Sequence, residues 1–242
     1  MGDRVALFDM DGTLLPWDTQ LLFSNYVIRR HRWRTLLMVV FVVALPLTLL
    51  RVLNEEQMKR LYLVYLWRMR LDEVKELAHE FAERVVDTMI YPELRSCLES
   101  HRRQGDLTVM VTASPDIYAT EIAQRLGFHK VIATEVELEE ERFPFYPVLP
   151  KGNNEGSRKV EELQNCGILP ATHVTAYSDS KADLPMLTEA DEVVLVNPSE
   201  KLQARLRSHQ PKVYTPELPW RSRSQKICAF ALLFLGIKSS CL

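Results

Sequence analysis

Five short apolar runs rich in β-branched residues recur along this chain, at 4–9, 107–112, 129–138, 174–178 and 192–197, and they limit its fold more than any other feature. Each has the length of a strand buried on both faces, bounded by polar or turn-forming residues. Helical patterns occupy 92–104, 115–126 and 157–166; they end at Gly105, Gly127 and Gly167, and two of them open on a first-turn proline. Strand alternating with helix predicts an α/β fold, a Rossmann-like parallel sheet with helices on both faces, whose ligands gather at the carboxyl ends of the strands.

Residues 18–90 break that alternation, being helical in period almost throughout. The 242 residues therefore divide into a catalytic core made of 1–17 and 91–215, a helical cap at 18–90 inserted after the first strand, and a basic, apolar tail at 216–242. Hydrophobic residues at 47% and charged residues at 26% exclude wholesale disorder, a collagen-like chain and a polytopic membrane protein. Cys97, Cys166, Cys228 and Cys241 form no CxxC pair and have no histidines at zinc-ligand spacing, which reads as a reducing compartment. The first residues lack the basic and apolar stretches of a secretory leader, so a cytoplasmic location is expected. The net charge of −2 conceals a basic block: nine Lys/Arg against two Glu between positions 29 and 70. Such a block is either a solvated helix face or the mark of an anionic partner.

The chemistry lies where the strands end. The first run delivers Asp9-Met-Asp11-Gly12-Thr13, two carboxylates two residues apart. Burying them together is costly without a cation, and oxygen ligands of this type suit Mg²⁺. The fourth run ends in Ser178-Asp179-Ser180-Lys181-Ala182-Asp183, the second in Thr112-Ala113-Ser114, and Lys159 lies on a later helix. Together they supply a nucleophile, an acid/base partner, a metal site and a phosphate clamp.

These motifs, in this order, resemble the haloacid dehalogenase superfamily, in particular its subfamily IB branch of phosphoserine phosphatases and phosphatidylglycerophosphatase C-like enzymes. The likeness runs from about residue 4 to 200 and takes in Asn197-Pro198 after the fifth strand. It implies that Asp9 attacks phosphorus to form an aspartyl-phosphate. Asp11 would protonate the leaving alcohol and then deprotonate the hydrolytic water. Mg²⁺ would be held by Asp9, Asp179 and the Asp11 carbonyl; Thr112, Ser114 and Lys159 would bind the phosphoryl oxygens, with Gly12, Thr13 and Asp183 in support. A proton donor at position 11 argues against a dehalogenase, since a departing halide needs no proton. The second motif lacks the paired glycines usual in phosphoserine phosphatases, and Ser178 and Ser180 stand where many members have glycine.

Singly, these residues have plainer readings. Asp183 stands three residues after Ser180, the spacing of a capping box, and Asp-Gly is a common turn pair. Lys151 competes with Lys159 for the phosphate. It is the joint occurrence that points to an enzyme.

Residues 35–50 carry no charge and are preceded by Arg29, Arg30, Arg32, Trp33 and Arg34 and followed by Arg51. Sixteen helical residues reach about 24 Å, short of a hydrocarbon core of roughly 30 Å. A single crossing would also separate Asp9 and Asp11 from Thr112, Lys159 and Asp179. The segment is therefore expected to be a re-entrant hairpin turned at Pro46, an interfacial helix or a buried cap helix. The tail at 227–237 is likewise apolar between basic flanks and too short to span. Basic flanks and Trp33 favour an anionic bilayer surface, so the expected substrate is a membrane phospholipid phosphate, such as phosphatidylglycerophosphate, met at the cytoplasmic face. The alternatives are a soluble phosphatase of the phosphoserine phosphatase type, with Asp18 recognising an amine, and a catalytically inactive membrane-surface module. Nothing in the basic or aromatic pattern suggests nucleic acid.

Overall fold

The computed structural model describes residues 4–138 and 141–237. In chain order the elements are β1 (Arg4–Phe8), α1 (Thr19–Arg30), a 3-10 helix (Arg32–Leu37), α2 (Met38–Leu49), α3 (Glu55–Tyr62), α4 (Leu71–Thr88), α5 (Pro92–Gln104), β2 (Leu107–Pro115), α6 (Asp116–Leu126), β3 (Lys130–Thr134), α7 (Ser157–Asn165), β4 (His173–Ser178), α8 (Leu184–Thr188), β5 (Glu192–Val196), α9 (Glu200–Arg205), β6 (Lys212–Tyr214) and α10 (Arg223–Phe234). The chain forms two compact units: 1–17, 82–133 and 154–217 in one, and 18–81, 134–153 and 218–242 in the other. The helical unit thus takes in a second insertion at 134–153 and the tail, but of the 18–90 segment read from periodicity it keeps only 18–81, and 82–90 joins the sheet unit.

In the first unit, six described strands form one sheet in the order β3-β2-β1-β4-β5-β6. The pairs β1–β2, β1–β4, β4–β5 and β5–β6 are all parallel. The order reverses between β1 and β4, and an open parallel sheet leaves a crevice beyond the strand ends at such a switch point. Both strands deliver acids there. Alternate residues Val5, Leu7, Val109, Val111, Ala176 and Leu195 build a core against the helices, all of them buried. Helix ends follow local rules: Pro92 opens α5, and Gly105 and Gly127 close α5 and α6 in the left-handed conformation.

Three sequence expectations need adjustment. β3 ends at Thr134, well short of 138, because the next residues pair locally: Glu137 N donates to Val148 O at 3.0 Å. β2 runs on to Pro115, and the helix begins at Asp116. β6 was not foreseen; three residues are too few to show an alternating pattern.

In the second unit, α1 is capped by Asp18, whose side chain accepts from Leu21 N at 2.9 Å, and α3 begins with an Asn54–Gln57 capping box. Phe23, Tyr65 and Phe81 pack edge to face or tilted around α1, with ring centroids 5.2 to 6.3 Å apart. Residues 35–50 are not one helix. They are shared between the 3-10 helix and α2, and α2 passes through Pro46, which removes the hairpin from the three alternatives. Among the described residues no helix is long and apolar enough to cross a membrane.

Candidate active site

Asp9 follows β1 directly, and its backbone N–H donates to Tyr177 O at 3.0 Å, continuing the β1–β4 ladder past the last paired residues. That bond brings Asp9 beside the Ser178-Asp179 end of β4. The chain then turns, with Thr13 N and Leu14 N both donating to Met10 O. Gly12 makes the turn at φ +79°, and a Cβ there would lie 2.3 Å from Asp179 Oδ2. Only glycine lets the backbone approach that carboxylate so closely.

Thr13 ties the two acids together. Its hydroxyl lies 3.0 Å from Asp9 Oδ2 and 3.4 Å from Asp179 Oδ1, and it accepts from Asp179 N at 3.1 Å. With one proton to give, the hydroxyl donates along the shorter contact, to Asp9. Lys159, buried on the first turn of α7, places Nζ 2.7 Å from both Asp9 Oδ1 and Asp183 Oδ1. Asp183 is fixed in turn by Ser178 Oγ, which donates to its Oδ2 at 2.7 Å. Ser180 does cap the turn before α8, accepting from Ala182 N, but Asp183 looks inward rather than completing a capping box.

The second motif arrives from β2. Thr112 and Ser114 are buried; Ser114 N donates to Thr112 Oγ1 at 3.0 Å, and Ser114 Oγ donates to Asp11 Oδ2 at 2.6 Å. Asn154, which sequence reading passed over, bridges two strand ends by donating to Thr112 O at 2.9 Å and Ile132 O at 3.1 Å. A single asparagine in a polar loop carries no motif that would have revealed it.

Burial raises the Asp9 carboxyl to about 6 against the pull of Lys159, with Asp183 adding repulsion. Burial also raises Asp179 to about 7, helped by the charges of Asp9, Asp183 and Asp11. Burial works against the Lys159 ammonium, but Asp9 and Asp183 outweigh it and hold the group above its ordinary value, firmly charged. One lysine among four acids, two of them buried and two half-buried, leaves an excess of negative charge. A hard divalent cation fits that excess. Among the described residues no group of three or more His, Cys, Asp or Glu side chains is gathered closely enough to hold a metal by itself. Asp9 and Asp179 could supply two carboxylates, with a backbone carbonyl such as that of Asp11 and water completing the shell. Mg²⁺ favours such mixed coordination.

A model of haloacid dehalogenase-like hydrolases matches residues 6–188. The chain belongs to this family. Among curated relatives of this hydrolase, a histidinol-phosphatase of Neisseria meningitidis is 26% identical over 215 residues, covering 83% of this chain and 93% of its own. A phosphoserine phosphatase of Mycobacterium tuberculosis is 27% identical over 210 residues, covering 84% and 67%. A Bordetella pertussis protein of unknown function shares the fold at TM-score 0.73 and 24% identity, over 89% of this chain and 99% of that one. A phospho-aspartyl intermediate analogue of phosphoserine phosphatase shares it at TM-score 0.54 and 16% identity, over 88% and 93%. The hydrolase is an enzyme of the phosphatase type.

The remaining predicted residues sit in the helical unit. Arg29, Arg32 and Trp33 are exposed. Arg30 pairs with Glu80 at 2.8 Å and stacks over the Tyr26 ring. Arg34 is no headgroup ligand: it is buried, and its Nη1 donates to Tyr65 O and Trp67 O at 2.7 and 2.9 Å, holding the turn after α3. Lys151 is exposed and pairs with Glu135 at 3.1 Å, whereas Lys159 is the lysine at Asp9.

Proposed function

We propose that this hydrolase cleaves phosphate monoesters in two steps, with Asp9 as nucleophile and Mg²⁺ as the working ion. Asp9 attacks phosphorus, the ester P–O bond breaks, and the leaving alcohol takes a proton from Asp11. Water then attacks the aspartyl-phosphate, Asp11 recovers a proton from it, and Asp9 is released with inorganic phosphate. Lys159 and Thr13 hold the two oxygens of Asp9, so the nucleophile is oriented before substrate arrives. Thr112 and Lys159 are assigned to the phosphoryl oxygens, the Ser114 hydroxyl, whose one proton goes to Asp11 Oδ2, is assigned to holding that carboxyl, and Asp183 keeps Lys159 in place. Asp9, the Asp11 carbonyl and Asp179 would hold the ion, which supplies charge neutralisation for the transferring group.

The observation that carries this reading is Lys159 Nζ at 2.7 Å from both Asp9 and Asp183, three chain-distant charges at the end of β1 and β4. For the substrate we propose a phosphate ester of a membrane lipid, met at the cytoplasmic face, on the strength of the uncharged, exposed helix α2 and its basic flanks. The histidinol-phosphatase and phosphoserine phosphatase relatives favour a second reading, a soluble amino-alcohol or amino-acid phosphate. Phosphate release from a panel of lipid and soluble monoesters, with Mg²⁺ and with chelator, tests both. Faster turnover of lipid phosphate in mixed micelles supports the first reading, and a preference for histidinol phosphate or phosphoserine replaces it with the second. Release unaffected by chelator removes the metal.

A further inference from the structure

Exposed large apolar side chains are expected singly on a soluble protein, and here they are not scattered. Of sixteen such residues among those described, nine lie between Trp33 and Val52 and three between Ile227 and Ile237. Leu36, Val43 and Leu50 are 72%, 68% and 71% exposed, and Ile227 is 61%. α2 carries no charged residue and buries few side chains, chiefly Met38 and Ala44. A surface helix normally turns a polar face to water; this one turns apolar residues outward as well.

The two apolar helices form one surface. Phe41 of α2 and Phe234 of α10 lie 6.1 Å apart by ring centroid, and both pack on Tyr62. The tail helix is held by α1: the buried Asn25 side chain donates to Leu233 O at 2.7 Å and Ile237 O at 3.2 Å, satisfying carbonyls at the end of α10. Gly236, at φ +70°, closes the joint, since a Cβ there would meet Ile28 Cγ2 at 2.5 Å.

Basic residues border both helices. Arg29, Arg32 and Arg51 flank α2, and Arg221, Arg223 and Lys226 lie at the start of α10; all six are exposed, and neither α2 nor α10 contains an acid. Trp33 stands at the edge, 55% exposed. A second copy of the chain docked here would bring like charges together, whereas an anionic bilayer complements them. α2, at twelve residues or about 18 Å, is too short to span and suited to lying in the headgroup region.

We infer that α2 and α10 together, clasped by Asn25, form a docking surface for anionic phospholipid bilayers. This deepens the lipid reading by naming its partner surface, yet needs none of the catalytic assignments. The test is flotation of the full chain with phosphatidylcholine vesicles, with and without 30% phosphatidylglycerol, at low and raised salt. Wild type is expected to partition at least ten-fold better to anionic vesicles and to lose that advantage in salt. The double variant Val43→Asp with Leu50→Asp should lose binding ten-fold or more while keeping its melting temperature, because both positions are exposed. Asn25→Leu should weaken binding through the tail, and Asp9→Asn should float like wild type. Absence of binding to either vesicle, or binding unchanged in the aspartate variant, overturns the inference. So does a stable dimer in sedimentation that the same aspartates dissolve, which would assign the surface to a second copy. Phosphate release from soluble esters without flotation would leave the catalytic reading standing and remove this one.

Discussion

Lys159 Nζ sits between two buried carboxylates, 2.7 Å from Asp9 Oδ1 and 2.7 Å from Asp183 Oδ1. The three residues come from just past β1, from α7 and from the turn after β4, so the contact exists only when the sheet is assembled. It both neutralises part of the acid cluster and fixes the oxygen atoms of the proposed nucleophile.

Removing that ammonium leaves the buried carboxylates of Asp9 and Asp183 facing each other with no cation between them. Lys159→Met is expected to lower stability by roughly 3–5 kcal/mol near pH 8. The loss should be smaller near pH 5, where Asp9, already raised to about 6, takes up a proton. Denaturant unfolding at the two pH values checks this; an equal loss at both would mean that charge is not the cause.

Gly12→Ala tests the close approach at the turn. A side chain there meets Asp179 at 2.3 Å and is forced into φ +79°, a strain of about 1–3 kcal/mol. Asp179 must shift, so Mg²⁺ affinity measured by calorimetry should fall while the circular dichroism spectrum is retained. Unchanged affinity would remove Asp179 from the ion site.

The pH dependence follows from Asp9 and Asp179, raised to about 6 and about 7. Between their unfolded values near 4 and these folded ones, the metal-free fold binds more protons than the unfolded chain. Its stability therefore declines as pH rises through that window. Protons also compete with the ion. Saturating Mg²⁺ should raise the melting temperature more at pH 8 than at pH 5.5; a larger rise at the lower pH would contradict the account.

Ser114 is expected to position Asp11 through the 2.6 Å bond between its hydroxyl and Oδ2. Ser114→Ala forfeits a hydrogen bond to a charged group, of order 1.5–3 kcal/mol, so kcat should fall about ten- to a hundred-fold. The melting temperature should fall by several degrees, with the circular dichroism spectrum retained. Wild-type kcat in this variant would release Ser114 from the role.

Much of the core was legible because its signals are local. The apolar runs gave β1, β2, β4 and β5 to within a few residues, and the acids at their ends mark the switch point between β1 and β4. What sequence could not supply depends on tertiary partners. Arg34 reads as part of a basic surface stretch, yet the carbonyls of Tyr65 and Trp67 draw it inside. Residues 134–153 read partly as strand, yet they group with the helical unit. Asn154 and β6 carry too few residues to form a pattern.

The central claim is that Asp9 becomes phosphorylated during turnover. Rapid acid quench of the working enzyme, borohydride reduction and mass spectrometry of the proteolytic peptide that contains position 9 test it directly. An acyl phosphate on Asp9 is predicted to be recovered as homoserine at that position, in wild type but not in Asp9→Asn, whose turnover should fall at least about a thousand-fold. Full turnover by Asp9→Asn, or the reduced residue appearing at position 11, 179 or 183, would contradict the account.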